Sequence, residues 1–587
     1  MFQMTIPYRR RLIVPATSLT LIHVSVVLLV LHLVAQNLRA DVKLPGLFSD
    51  NLVLQQEMNV PIWGWADDGE KVTVEFRGKK ASTIAKDGKW TVRIDDLKAG
   101  GPDTLTVAGK NTLELKNVLV GEVWVCSGQS NMEWPLEKSF EPEGDIAAST
   151  TPMLRLFTVP KLKADQPTND VDASWQECNP QTTTNFSAVA YYFGRELQKA
   201  RGVPVGLIHT SWGGSPAEVW MSQDVLEDNP DYKKAILDSF GQATKKYQTD
   251  LARFETAQAE LKKQGKTSEK KPPAKPYWKP SELYNGMIAP LLPYAIRGAI
   301  WYQGESNAGR AYQYRNLFPD MIRNWRRAWG QGDFTFLAVQ LAPWDKGKKR
   351  SVEAITAAPG DSDWAELREA QLLATKALPK VGLAVITDVG DKDDIHPTKK
   401  APVGARLALA ARGIAYREKI VYSGPLYRSM TVKGDKAIIS FDHTGRGLEA
   451  GGAGVQQAFF SPDGKMITVT GGDKTTRVWD VKTGQALDSN GKVTTSAPRN
   501  WDVRTGKQVE PSPLTGFSIA GPDGKFVWAD AEIKGDKVVV RSDRVPRPVA
   551  VRYGWADYPV VNLWNKDGLP ASPFRTDTFP MITKPKA

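Results

Sequence analysis

Five short apolar runs, at residues 118–126, 204–210, 298–302, 335–340 and 382–387, constrain this chain most, because each is followed by a stretch of helical composition. Strands that are apolar on both faces and alternate with helices build a parallel sheet, since each crossover must pass over the sheet before the next strand can join it. Residues 118–418 therefore read as one α/β domain. An excursion at about 222–280 interrupts it, with a polar helical stretch at 250–263 and a Lys/Pro-rich, mobile tail at 265–279.

The flanks follow a different rule. Between residues 41 and 117, runs such as Val72-Thr-Val-Glu-Phe and Trp90-Thr-Val-Arg-Ile alternate apolar with polar residues between Gly, Asp and Lys turns. This is the pattern of an N-terminal β-sandwich. Residues 419–587 return to short strands with Gly-Asp turns and read as a C-terminal β domain of the same kind. Within it, at about 455–510, Val478-Trp-Asp-Val-Lys-Thr-Gly resembles the end of one WD repeat, and Trp501-Asp-Val-Arg-Thr-Gly repeats it. One or two blades cannot close a propeller, so a set of inserted hairpins is expected. Three such domains suit the 587 residues.

Residues 1–40 carry Arg9, Arg10 and Arg11, an apolar run from about 19 to 34, and Leu38-Arg39-Ala40. That order of charged, apolar and small residues is a secretory signal, so an exported, periplasmic or extracellular protein is expected, or a membrane-anchored one if the segment is kept. These four arginines supply four of the +12 net charges. Much of the remaining basic excess clusters at 245–279, which suits a solvated insertion and not a nucleic-acid surface. With only Cys126 and Cys178, a disulfide scaffold and a cysteine zinc site are both excluded. No metal, cofactor or stable protein partner is expected.

The first sheet strand runs into Val123-Trp-Val-Cys-Ser-Gly-Gln-Ser-Asn-Met, a small-residue turn with Ser130 at its tip. The C-terminal end of a strand is where open α/β sheets place ligands. A serine nucleophile needs a base in hydrogen-bond reach, and histidine supplies one near neutral pH. Outside residues 1–40 the chain offers only His209, His396 and His443. His209 ends an apolar strand and suits packing, and His443 suits a surface. His396 lies in Asp391-Lys-Asp-Asp-Ile-His-Pro, on a loop after the fifth run, with acids close enough to hold its second nitrogen. Two more strands end in Thr210-Ser-Trp-Gly-Gly-Ser and Trp301-Tyr-Gln-Gly-Glu-Ser-Asn, which offer amides to an oxyanion.

In this order these blocks resemble the SGNH hydrolases, and within them the sialate O-acetylesterase branch; Gly568-Leu-Pro-Ala-Ser-Pro-Phe-Arg-Thr-Asp adds to the likeness. The resemblance implies a three-layer, flavodoxin-like core and a cofactor-free serine esterase. It implies Ser130 as nucleophile, His396 as base, and an oxyanion hole of Ser130, Gly214 or Gly213, and Gln303 or Asn307. The family pattern Asp-x-x-His maps to Asp393, with Asp394 and Asp391 also at hand. The implied substrate is an O-acetylated sugar or glycan, most directly 9-O-acetyl sialic acid, with acetylated xylan or another polysaccharide as the alternative. A non-catalytic carbohydrate-binding protein is the reading from another class. Trp212, Trp301, Glu305 and Arg310 are candidate substrate-binding residues, although an acid such as Glu305 would repel an oxyanion and suits a structural hydrogen bond better. Arg315 and Arg406 are further candidates for a sialate carboxylate.

Overall fold

The computed structural model describes residues 41–267, 269–451 and 513–585 and, between 452 and 512, the strand backbones. The expected signal segment lies outside the described residues. Among the described residues no helix is long and apolar enough to cross a membrane.

The described residues form two compact units. The smaller comprises residues 41–44, 62–93 and 105–114. In it Lys71–Phe76 pairs antiparallel with Lys79–Ile84 through a turn whose two residues, Arg77 and Gly78, both have positive φ. Such a turn matches the natural twist of a hairpin. Val72, Val74 and Phe76 face inward, with Lys71, Thr73 and Glu75 between them.

The larger unit holds the sheet that the apolar runs predict. Its strands are β1 (Thr112–Gly128, from Leu115 onward in this unit), β2 (Thr151–Thr158), β3 (Val205–Ser211), β4 (Gly298–Tyr302), β5 (Thr335–Val339) and β6 (Val381–Ala384). They lie in the order β6-β5-β4-β1-β3-β2, each pair parallel, and Gln176–Cys178 adds an antiparallel edge to β2. The connecting helices include α1 (Ser130–Glu133), α2 (Ala188–Arg201), α3 (Ala311–Trp329), α4 (Asp363–Ala377) and α5 (Ala401–Ile414).

Strand alternation divides the packing. Ile300 and Tyr302 share a core with Tyr192, Phe193, Leu197 from α2 and Leu407, Ala411 from α5. Trp301, between them, meets Trp325 of α3 edge-on at 5.8 Å. Neighbours on a strand point to opposite faces, so these helices cover the sheet on both sides. Cys126 and Cys178 sit in the first core as separate buried thiols.

Farther along, two antiparallel sheets, one with Lys436–Asp442 and Lys537–Arg541 and one with Phe517–Ala520 and Ala550–Tyr553, enclose Ile439, Val538, Phe517, Val551 and Phe574. The WD-like stretch contributes an antiparallel four-stranded sheet from Val455–Phe460 to Ala486–Leu487 and a separate pair, Trp501–Asp502 with Lys507–Gln508. Most of its remaining residues lie outside the described ones. In the insertion, the polar stretch is part of a longer helix, Ser239–Lys263, with no buried residue.

The topology prepares one place for chemistry. β1 lies between β3 and β4, so the chain's progress across the sheet reverses at its C-terminal end. Open α/β sheets bind ligands where strand order reverses, and the loops after β1, β3 and β4 meet at that point here.

Candidate active site

Gly128 closes β1 with φ +143, and a Cβ there would lie 2.1 Å from the Tyr302 carbonyl oxygen of β4. The turn at the end of β1 therefore requires glycine. Gln129 follows in extended conformation, donates its N–H to the same carbonyl, and precedes α1, which begins at Ser130. The first amides of a helix have no acceptor in the helix itself, so the Ser130 N–H has no intrahelical partner.

His396 arrives from the loop after β6. Its Nε2 lies 2.8 Å from Ser130 Oγ, a distance at which the imidazole can take the hydroxyl proton. The three neighbouring acids divide the work. Asp391 Oδ1 accepts the amides of Asp393 and Asp394 at 2.8 and 3.1 Å and shapes the turn. Asp393 turns to Lys392 Nζ at 2.6 Å and is mostly exposed. Asp394 Oδ1 accepts the His396 amide at 2.8 Å and lies 3.6 Å from His396 Nδ1. The carboxylate beside the imidazole is thus Asp394, and not Asp393 as the family spacing implies.

Trp134, on the residue after α1, stacks on the His396 ring at 5.2 Å and 20°. Behind both, Asn131 ties three loops together: its Nδ2 donates to Glu305 Oε1 at 2.7 Å and to the Ile395 carbonyl at 3.1 Å, and its Oδ1 accepts from Lys400 Nζ at 2.6 Å. Burial pulls the Lys400 ammonium down to about 7, against the opposing pull of Glu305. Burial also pushes Glu305 up, and its Oε2 is buried with no partner among the described residues. Glu305 is therefore tied through Asn131 to the loops that carry Ser130 and His396.

The expected oxyanion groups separate. Gly213 N–H donates to Glu133 Oε2 at 2.6 Å and is occupied. Gly214, at φ +77 with open space beside its Cα, has an amide with no acceptor among the described residues. Gln303 is buried, with Nε2 on Ser215 O and Asn307 Oδ1 and with Oε1 held by Tyr314. Asn307, also buried, donates to Glu218 and accepts from Ala217 N. Both side chains brace the loop after β3 and do not open onto Ser130. A group the sequence reading passed over is Gln129: its Oε1 faces the Gly304 and Ser306 amides at 3.4 Å, which leaves Nε2 without an acceptor among the described residues.

Of the candidate substrate contacts, Trp301 is fully buried between Trp220 and Trp325 and has no face for a sugar. Arg310 is paired with Glu218, and Arg406 is held by both Asp388 oxygens. Arg315 lies against Met581 Sδ. Trp212 remains half-buried beside Gly213. His209 is buried, bonded to Ser211 Oγ at 2.6 Å and held down to about 4 by burial, which makes it a neutral packing group. His443 is half-buried against Tyr422, where a surface position was expected.

The family described as "Carbohydrate esterase, sialic acid-specific acetylesterase" matches residues 274–412, the stretch that carries the Glu305 loop, His396 and Lys400. Human sialate O-acetylesterase is 30% identical over 67% of this chain and 75% of its own length. The chain belongs to the sialate O-acetylesterase family. The mouse sialate O-acetylesterase is 29% identical over 71% of this chain and 82% of its own length. A solved structure described as "XAC1771, a novel carbohydrate acetylesterase from Xanthomonas citri" is 36% identical, with a TM-score of 0.69 over 92% of this chain and all of its own. The esterase is accordingly a carboxylic ester hydrolase.

The charges around the imidazole set its pH response. Burial lowers the His396 pKa, Asp394 raises it and Lys400 lowers it. The neutral, proton-accepting ring therefore persists below the ordinary histidine range of about 6.5. Asp394→Asn removes the raising charge, so the acid limb of kcat/KM moves to lower pH while the rate falls about tenfold, a loss limited by solvent around Asp394. Lys400→Met moves the same limb to higher pH. Profiles in which both variants shift the same way contradict this account.

Proposed function

We propose that the esterase removes O-acetyl groups from carbohydrate through an acetyl-enzyme on Ser130. The observation that carries this reading is the 2.8 Å contact of His396 Nε2 with Ser130 Oγ at the point where strand order reverses. His396 takes the proton of Ser130 Oγ as the oxygen attacks the acetyl carbonyl. The Ser130 and Gly214 amides, with Gln129 Nε2 beside them, donate to the oxyanion. Asp394 steadies the imidazolium, which returns the proton to the departing sugar oxygen. Water, deprotonated by His396, then releases acetate and restores the serine. Every proton moved in this cycle passes through His396.

The names of the curated relatives make an O-acetyl group of a sialic acid the first substrate reading, taken here as the 9-O-acetyl group. A second, a neutral acetylated glycan, is favoured by the pairing of Arg310 with Glu218 and of Arg406 with Asp388, which leaves neither ready for a sialate carboxylate. The core is proposed to be the three-layer, flavodoxin-like type, within the domains at 41–117, 118–418 and 419–587, and residues 1–40 to direct export. One experiment covers chemistry and location: a fluorophosphonate probe applied to the exported protein. The expected result is a single covalent adduct on the peptide containing Ser130, on a chain whose first residue lies near Asp41. An adduct elsewhere, or none, removes Ser130 as nucleophile; a retained leader removes cleavage.

A further inference from the structure

The lysine-rich insertion ends in Tyr277-Trp278, two aromatic residues that enter neither the sheet core nor the catalytic contacts. Trp278 meets Trp212 edge-on at 5.7 Å and 88°, and Tyr277 meets Trp278 at 4.7 Å and 85°. Lys163 Nζ sits among the three rings, 3.8 Å from Tyr277, 4.3 Å from Trp278 and 5.7 Å from Trp212. Such contacts hold rings in place. Tyr277 nonetheless remains 63% exposed, and Trp212 and Trp278 are half-buried, so ring surface is presented to solvent.

This corner adjoins the nucleophile. Trp212 donates its N–H to the Gly128 carbonyl at 3.2 Å, and a Cβ on the next residue, Gly213, would lie 3.3 Å from Ser130 Cβ. Its charge is also cancelled: Lys161, 5.4 Å from the Trp212 ring, is paired with Glu133, and Lys163 with Glu282 at 3.0 Å. Exposed rings whose two neighbouring lysines, Lys161 and Lys163, are both paired suit the apolar C–H face of a pyranose, and repay little to a carboxylated sugar.

We infer that Trp212, Tyr277 and Trp278 form a stacking subsite for a neutral sugar ring of the glycan whose acetyl group lies at Ser130. The inference rests on the esterase reading above. Partially O-acetylated xylo-oligosaccharide, 9-O-acetyl-N-acetylneuraminic acid and p-nitrophenyl acetate serve as probes, the last having no sugar. Trp278→Ala and Tyr277→Ala are each expected to lower kcat/KM for the xylo-oligosaccharide, through KM, about five- to tenfold relative to that for p-nitrophenyl acetate, the worth of one lost ring contact. Trp278→Phe restores most of the ratio. A ratio unchanged in both alanine variants overturns the subsite, as does a preference for the sialate probe that falls with these substitutions. Turnover of the three probes by Ser130→Ala at the wild-type rates would instead mark failure of the esterase reading itself.

Discussion

Ser130→Ala and His396→Ala are each expected to reduce acetate release from p-nitrophenyl acetate on the order of 10⁴–10⁶-fold, and the double variant by little more than either alone. The non-additivity is the informative part. Nucleophile and base share one hydrogen bond of 2.8 Å, so removal of either ends the same proton transfer. The residual rate is expected from the amides proposed to hold the oxyanion, those of Ser130 and Gly214, acting on the acetyl carbonyl as water attacks it. Stopped acetate assays at saturating substrate, with thermal unfolding to show that both variants fold, supply the measurement. A single variant that keeps a tenth of the wild-type rate contradicts the mechanism.

The next largest effect is expected at a residue that touches no substrate. Gly128→Ala places a methyl group 2.1 Å from the Tyr302 carbonyl oxygen, and both groups belong to backbone in the middle of the sheet. Neither strand can retreat cheaply, because β1 is held by β3 on one side and β4 on the other. Alanine is also strained at φ +143. Overpacking and strain together cost about 3 kcal/mol or more. The turn they deform carries Ser130, and a displacement of about 1 Å at a reacting atom costs on the order of 10²-fold in rate. Loss of both melting temperature and kcat is therefore expected, with KM for p-nitrophenyl acetate little changed. An alanine variant with wild-type kcat contradicts the described turn.

The parallel sheet was legible because its strands are buried on both faces and read as unbroken apolar runs. β2 escaped notice for a related reason. Its sequence Thr-Pro-Met-Leu-Arg-Leu-Phe-Thr contains Arg155, which is buried in the strand and paired with Glu177 across the sheet edge. A charge inside an apolar run reads as a loop until its partner is known. The same both-faces-buried logic, applied to β4, excludes Trp301 from sugar stacking without a structure.

Within the site, the meeting of Ser130 and His396 was legible because histidine is scarce. The acid was not, since Asp391, Asp393 and Asp394 fall within one turn of chain and only the fold-back of Asp391 onto two amides decides which of them faces His396. Gly213 and Gly214 are chemically identical in sequence; Glu133, from a different loop, removes one amide and leaves the other. Lys400 gave no signal at all. A lysine in a polar loop reads as solvated, and its burial depends on Asn131 and Glu305 arriving from two other strands.

The serine and its histidine are separated by 266 positions along the chain. A ribosome that has synthesised β1, β3 and β4 has made Ser130 without the histidine that bonds it, and the Asn131 tie to the Ile395 carbonyl has no acceptor until the loop after β6 emerges. The Ser130–His396 contact on which the proposed chemistry depends therefore forms only after all six strands of the sheet have been made. A chain that stops before the loop after β6 has all six strands but lacks His396, and so has no group to make the proposed proton transfer.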